Sequence, residues 1–411
     1  MSFTNYLLLG GGLASAKAAG QLRKQAPDSF ITLVSSEPHL PYHRPPLSKE
    51  YLRGEGSKDK VFIASEQFYK DNKVDLIRGV AAKKLDLQGK SVTLEDGSSL
   101  GFEKALLATG GRPKKLPVSG ARLPGVYYLR TVDDSEAIQK EIAPGRRAVI
   151  VGAGFIGMEI AASLTQKGVG VTVIEVAPYI WSRFLDEKMA AFFQGYCEER
   201  GIAFLTGESV AEFRGDARVA RVITQSGREM PCDFACIGVG IDLNIEFAQE
   251  AGLKIDNGIV VNEFMQCSHP DVYAAGDVAN YYDPIFEKRR RVEHWGHAEY
   301  TGMLAAQNMA GEGKPYDLLS YVWSDIFDLH LEFAGDETEH DQLLVRGKHD
   351  ENSFIVLYLK ENLLRAYFAV NASAREFLPL QRLIRRRVDL SSHHSHLEDK
   401  EFNLKTLLEA G

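Results

Sequence analysis

The chain has 411 residues, enough for two or three domains. Apolar residues make up 45% and charged residues 25%, which excludes disorder, collagen and coiled coil as the main description. Lys and Arg number 48 against 56 Asp and Glu, a net charge of −8, so the chain is a poor general binder of nucleic acid or anionic membrane and any basic patch must be local. At the N-terminus, Met1 to Asn5 run straight into the apolar Tyr6-Leu7-Leu8-Leu9, too short a segment for a signal peptide. No apolar run approaches the ~18 residues of a spanning helix. Four cysteines, Cys197, Cys232, Cys236 and Cys267, are too few for a disulfide framework. These features predict a cytoplasmic protein with reduced thiols.

The apolar run at 6–9 reads as a strand buried on both faces. It stops at Gly10-Gly11-Gly12-Leu13-Ala14-Ser15, and a small, Ala-rich helix follows. Strand, Gly10-x-Gly12-x-x-Ser15, helix is a dinucleotide-binding turn. Gly10 permits the tight turn, and Gly12 lets backbone approach a pyrophosphate. Leu13, Ala14 and Ser15 open the helix whose free N–H groups face that anion. Ser15 departs from the usual third Gly or Ala but is still small. The strand Ile31-Thr32-Leu33-Val34 leads to Glu37, an acidic residue suited to ribose hydroxyls.

The pattern recurs. Strand Ala148-Val149-Ile150-Val151 precedes Gly152-x-Gly154-Phe155-Ile156-Gly157-x-Glu159 on a helix running to about Lys167. A second strand ends at Glu175. Two such units in one chain point to two dinucleotides, a flavin and a nicotinamide, because hydride transfer needs the two rings stacked. Glu175 would accept bonds from a ribose diol and repel a 2′-phosphate, and no Lys or Arg follows at 176–179, so NADH is expected over NADPH. Arg183 could still reach this cofactor. Two further strand ends, Leu107-Ala108-Thr109-Gly110 and Ala274-Ala275-Gly276-Asp277, complete the series. Asp277 can accept a hydroxyl of a ribityl chain, and a helix start is expected behind it.

In this order the motifs resemble the two-dinucleotide-binding, glutathione-reductase-like flavoprotein superfamily over residues 1 to about 318. The resemblance implies an α/β fold with two Rossmann-like domains, the NAD domain inserted in the FAD domain, plus a C-terminal α+β domain. The expected boundaries are 1–112 and 242–318 for FAD, 113–241 for NAD and 319–411 for the C-terminal domain. Disulfide reductases of the superfamily carry a redox Cys pair after the second flavin-domain strand. Here that region reads Tyr42-His43-Arg44-Pro45-Pro46-Leu47-Ser48-Lys49, with no Cys before Cys197, so dithiol relay chemistry is excluded. Cys232 and Cys236 read as core residues.

The Arg44-to-Lys49 string resembles the ferredoxin-reductase branch: reductases of oxygenase systems, rubredoxin reductases and apoptosis-inducing-factor-like flavoproteins. That resemblance implies that Arg44 contacts the FAD phosphates, that Lys49 sits near the flavin, and that Arg130 lies near the diphosphate. Lys49 can polarise the flavin edge, and Glu159 near the nicotinamide could pair with it, so these two are the expected catalytic residues. Glu293-His294-Trp295 would open the helix under the flavin, with Trp295 stacking near the ring, lining an electron exit or packing in the core. Trp323, in Tyr321-Val322-Trp323-Ser324-Asp325, would cover the flavin. Ala82 joins the FAD set, and Gly238, Val239 and Gly240 join the NAD set.

With no dithiol, electrons must leave to oxygen, a small acceptor or a one-electron partner. The family reading is NADH oxidation through noncovalent FAD to a ferredoxin-type iron–sulfur protein, with this chain a component of an oxygenase electron-transfer chain, as a monomer or dimer. Such partners are usually acidic. The candidate docking clusters are Lys288-Arg289-Arg290-Arg291 and Arg382 with Arg385-Arg386-Arg387. Two alternatives stay open: an NADH-dependent reductase of a quinone or other small acceptor, and an NADH-responsive redox switch of the apoptosis-inducing-factor type. His393, His394 and His396 read as a mobile loop rather than a metal site.

Overall fold

The run Ile31–Ser35 is buried at every position in the computed structural model, as expected of a strand covered on both faces. The parallel stack it joins runs Val74–Arg78, Ile31–Ser35, Ser2–Leu9, Ser99–Leu107, Val272–Ala274. An antiparallel hairpin, Ala82–Asp86 with Ser91–Leu94, extends the sheet from Ser99–Leu107. The helices Leu13–Gln25 and Trp295–Met309 pack along each other, where Gly302 comes so near that a Cβ there would lie 2.3 Å from the Ala14 carbonyl oxygen. The structure describes residues 2–182, 185–348 and 351–409.

Two compact units emerge. The first is Met1–His43, Lys58–Arg112 and Asp242–Tyr321, with one continuous apolar core from Leu7 to Tyr316. The second is Arg44–Ser57, Pro113–Ile241 and Val322–Gly411. It holds a second parallel sheet in the order Ile202–Thr206, Gly170–Glu175, Arg147–Val151, Phe234–Ile237, Val126–Tyr128. Helix Phe155–Gln166 follows Arg147–Val151 and ends one residue before Lys167. The same unit contains a five-stranded sheet, Tyr321–Ile326, Leu329–Gly335, Leu363–Val370, Ser353–Lys360 and Gln342–Lys348, backed by the strongly amphipathic helix Ala374–Arg386. Its last four strands pair antiparallel.

Two local expectations change. Behind Asp277 the chain makes only the three-residue 3-10 turn Gly276–Val278 and then enters the strand Ala279–Asp283. Buried Val278, Ala279 and Tyr281 are drawn into the core of the first unit, which favours an extended segment over a helix. The histidines at 393–396 are not in a loop throughout: His394–Glu398 is a short helix. Arg346, 2% exposed, holds this segment by donating to the carbonyls of His396, Leu397, Asp399, Lys400 and Phe402. Among the described residues no group of His, Cys, Asp or Glu is arranged to hold a metal ion. None of their helices is long and apolar enough to cross a membrane.

Candidate active site

The two glycine turns are built alike, each inside its own unit. At the first, Gly10 has φ +123°, and a Cβ there would lie 2.1 Å from the Ala108 carbonyl oxygen. At the second, Gly152 has φ +100°, and its Cβ would lie 2.5 Å from the Gly238 carbonyl oxygen. Only glycine combines that backbone angle with that approach. In both units a neighbouring strand end therefore crosses the turn: residues 108–110 in the first, 238–240 in the second. Gly12 and Gly154 are the N-caps, extended in backbone and making no side-chain cap bond. A Cβ on either would meet nothing within 4 Å. Each helix thus begins with free amides facing open space, the condition for holding a pyrophosphate. Leu13 and Phe155 are the first helical residues, with Ala14 and Ile156 next.

The third position differs. Gly157 lies so close to the turn that a Cβ would come within 2.0 Å of the Gly152 carbonyl oxygen. Ser15 holds the matching place in the first unit. It is fully buried, and its hydroxyl has no hydrogen-bond partner among the described residues. An orphaned buried hydroxyl beside a free helix N-terminus fits a phosphate-bearing ligand.

Around the first turn, Glu37 accepts the Tyr42 hydroxyl. Thr109 Oγ1 donates to the Asn244 carbonyl at 2.6 Å, and Asn244 returns a bond to the Thr109 carbonyl at 3.0 Å. Gly276 N–H donates to Thr301 Oγ1 at 3.0 Å, and a Cβ on Gly276 would touch those of Ala14 and Ala298, each at 3.6 Å. The turn carrying Asp277 is thereby brought against the first helix. Arg291 donates to the Asp277 carbonyl at 3.2 Å and pairs with Glu293 at 2.5 Å. His294 caps the helix Trp295–Met309, and Trp295 Nε1 donates to His43 Nδ1 at 2.9 Å. Burial, aided by the Lys17 charge, lowers the His43 pKa and keeps that nitrogen an acceptor. Ala82 is half-buried at the head of its hairpin, opposite Leu94.

In the second unit, Glu175 accepts from the amides of Ala153 at 2.6 Å and Ala177 at 2.9 Å, so the acidic strand end is tied to the glycine turn. Val239 also flanks the turn, its Cγ1 3.5 Å from where a Gly152 Cβ would sit. Phe155 lies 5.6 Å, ring to ring, from Trp181, while Ile156 is 45% exposed. Arg183 lies outside the described residues.

Glu159 and Lys49 are brought together. Lys49 Nζ sits 2.6 Å from Glu159 Oε1, with the two side chains only 10% and 5% exposed. The string at 44–49 belongs to this unit, its Pro45–Ser48 turn being a single 3-10 helix that places Ser48 and Lys49 against the helix carrying Glu159. Lys49 also lies 5.2 Å from the centre of the Trp323 ring. Arg44 donates to the Arg130 carbonyl, and Arg130 leads into the capping box of helix Val132–Gln139. Sequence reasoning missed Ser48, Ser324, His43 and Asn244. Ser48 and Ser324 lie within the very strings that drew attention to Lys49 and Trp323, which was the available signal.

All four cysteines are free and buried. Burial raises every thiol, to about 12 for Cys197 and about 11 for Cys232, so none is a ready thiolate. Both basic clusters make internal bonds: in the second, Arg386 donates to the Leu408 carbonyl at 3.1 Å. In the first, Arg289 donates to the Val261 and Asn280 carbonyls at 3.1 and 2.9 Å, and Arg290 pairs at 3.1 Å with fully buried Asp283. With Arg291 bound to Glu293, each arginine of that cluster has an internal partner. Arg382, Arg385, Arg386 and Arg387 are all exposed, on and just past the helix Ala374–Arg386.

A family model described as pyridine nucleotide-disulphide oxidoreductase matches residues 4–302. The chain belongs to that family. A second model, reductase C-terminal, matches residues 321–408. Over 99% of its length the chain is 31% identical to putidaredoxin reductase of Pseudomonas putida, covering 97% of that protein. It is also 31% identical to the ferredoxin–NAD(+) reductase component of the anthranilate 1,2-dioxygenase system of Burkholderia cepacia, over 99% of this chain and all of that one. A solved structure of the covalent putidaredoxin reductase–putidaredoxin complex matches with a TM-score of 0.94 and 30% identity, covering 100% of this chain and 99% of that one. Within its family the chain therefore sits in the ferredoxin-reductase branch, with two dinucleotide-binding domains and a C-terminal α+β domain.

Proposed function

We propose that this protein is an FAD oxidoreductase that takes electrons from NADH and passes them to a ferredoxin-type iron–sulfur protein, as one component of an oxygenase system. The observation that carries the reading is the pair of matched glycine turns, each crossed by a neighbouring strand end and each opening a helix N-terminus to free space. Similarity to reductases of oxygenase systems along nearly the whole chain supports it. FAD, when bound, supplies a ring that accepts a hydride and releases electrons singly.

The residues divide the work. Residues 10–15, Glu37, 108–110, Gly276 and Asp277 hold the FAD dinucleotide, with the Ser15 hydroxyl as a donor to its phosphates. Residues 152–157, Glu175 and 238–240 hold NADH. Lys49 and Glu159 fix a compensated pair of charges for the hydride step, and Arg44, Arg130, Trp295 and Trp323 keep the roles toward FAD that the family resemblance implies. We take FAD at 1–112 and 242–318, NADH at 113–241 and the C-terminal domain at 319–411 as the working domain limits. The partner is acidic, and the exposed arginines at 382–387, of which Arg386 also donates to the Leu408 carbonyl, are its docking face in preference to the arginines at 289–291, which serve Asp283, Glu293 and backbone carbonyls. Buried, free cysteines agree with a cytoplasmic site of action.

The test is anaerobic stopped-flow. The yellow protein is reduced with NADH, then mixed with a panel of ferredoxins and with a quinone. Fast reoxidation by one ferredoxin, lost at high salt, is the expected result. Fast reoxidation by quinone alone makes the protein a small-molecule reductase instead. A stable long-wavelength band that no acceptor discharges makes it a redox switch.

A further inference from the structure

The Glu159 carboxylate is held by more than its ion pair. Ser324 Oγ donates to Oε1 at 2.6 Å, the same oxygen that Lys49 Nζ reaches at 2.6 Å. Ser48 Oγ donates to Oε2. Both serines are 1% exposed. The Ser48 carbonyl in turn accepts Ser163 Oγ at 2.7 Å, from the helix that carries Glu159. Three segments therefore meet on one carboxylate: the 44–49 string, the helix Phe155–Gln166, and the strand Tyr321–Ile326 that begins the C-terminal domain. Neighbours on that strand grip both halves of the pair, since Trp323 lies against Lys49 and Ser324 bonds Glu159.

A buried ion pair with a single contact can rotate or exchange partners. A carboxylate with a donor on each oxygen, and two on one of them, has one orientation in which every bond is satisfied. We propose that Ser324, assisted by Ser48, is a positioning residue for the hydride step: it locks the Glu159 carboxylate, and through it the Lys49 ammonium, in a single geometry. This rests on the reading that Lys49 and Glu159 act at that step. It gives the C-terminal domain a part in the NADH half-reaction, through one hydroxyl. A 1 Å displacement of a charge poised for reaction is costly in rate while leaving binding of the nucleotide nearly unchanged.

The experiment separates rate from binding. Anaerobic stopped-flow measures the limiting rate of flavin reduction and the apparent Kd for NADH in the FAD-loaded protein and in Ser324→Ala, Ser324→Thr, Ser48→Ala, Glu159→Gln and Ser324→Ala/Glu159→Gln. The loss expected for Ser324→Ala is about tenfold in limiting rate, the size of one hydrogen bond to a charged group. Kd for NADH should stay within about twofold, Ser324→Thr should recover most of the rate, and the loss should vanish in the Glu159→Gln background. A rate unchanged in Ser324→Ala, while Glu159→Gln is slowed, overturns the positioning role and leaves the catalytic pair intact. Glu159→Gln reducing as fast as the parent overturns the reading of the pair itself. If Ser324→Ala loses FAD or folds poorly, Ser48→Ala decides: an unchanged rate there also overturns the proposal.

Discussion

Glu175 uses both carboxylate oxygens on backbone amides, Ala153 on the glycine turn and Ala177 beyond the strand. A single side chain thereby shapes the nucleotide turn and sets its charge. Replacing it, Glu175→Ala, should raise KM for NADH about tenfold and narrow the preference over NADPH, because two amides lose their acceptor and the charge opposing a 2′-phosphate disappears. Steady-state kcat/KM with each nucleotide checks this. His297 is fully buried beside Tyr281, and burial pulls its pKa to about 3 from 6.5, with Arg290 and His294 also lowering it and Asp277 opposing. Its imidazole is a neutral base in the fold. Below pH 6.5 the unfolded chain binds a proton there that the folded chain does not, so stability falls as pH drops and is fully retained above that value. Lowering the pH from 7 to 5 should cost about 2 kcal/mol through this one residue. Urea unfolding should show His297→Gln losing that part of the pH slope. The sequence marked Glu175 by its place after an apolar strand; it gave no sign of His297, whose burial depends on residues 281, 316 and 320 arriving from elsewhere in the chain.

At the level of elements, the strand–turn–helix units were legible because their requirement is local: an apolar run, a backbone angle only glycine adopts easily, and small residues where helix meets strand. Gly157→Ala tests this. Its new Cβ would stand 2.0 Å from the Gly152 carbonyl oxygen, so the helix must shift, at a cost of about 1–3 kcal/mol. The expected outcome is a protein that keeps its FAD absorbance but binds NADH much more weakly, read by titration. The tail was not legible. Arg346 comes from the strand Gln342–Lys348 and satisfies five carbonyls between His396 and Phe402, a pairing with no local signature. Arg346→Met should strand those carbonyls and cost on the order of 3 kcal/mol. Hydrogen exchange should rise over 396–402 while the glycine turns stay protected. Likewise the turn at Gly276 gives way to a strand rather than a helix, because buried apolar residues at 278–281 outweigh a Gly-Asp start signal.

Over the whole molecule, a net charge of −8 coexists with a line of exposed arginines at 382–387. The mean charge describes solubility; under the proposed docking, the local patch would steer encounter with an acidic partner. The four thiols are all buried with raised pKa values, so turnover should be indifferent to them. Iodoacetamide on the native protein should leave NADH-dependent ferredoxin reduction within about twofold, and mass spectrometry should find alkylation only after unfolding. Loss of activity from alkylated Cys197, Cys232, Cys236 or Cys267 in a still-folded protein would contradict that.

By itself the sequence determined two dinucleotide turns, the order of motifs, the lack of a redox Cys pair and the branch of the family, because each rests on backbone angles, small volumes and residue identities that adjacent positions can express. Tertiary structure alone decided which internal partners the basic clusters take, that Ser15 presents an orphaned hydroxyl, and that Ser48 and Ser324 close on Glu159. Those facts depend on hydrogen-bond geometry and burial, and the two serines reach Glu159 from 111 and 165 residues away, so no spacing along the chain encodes them.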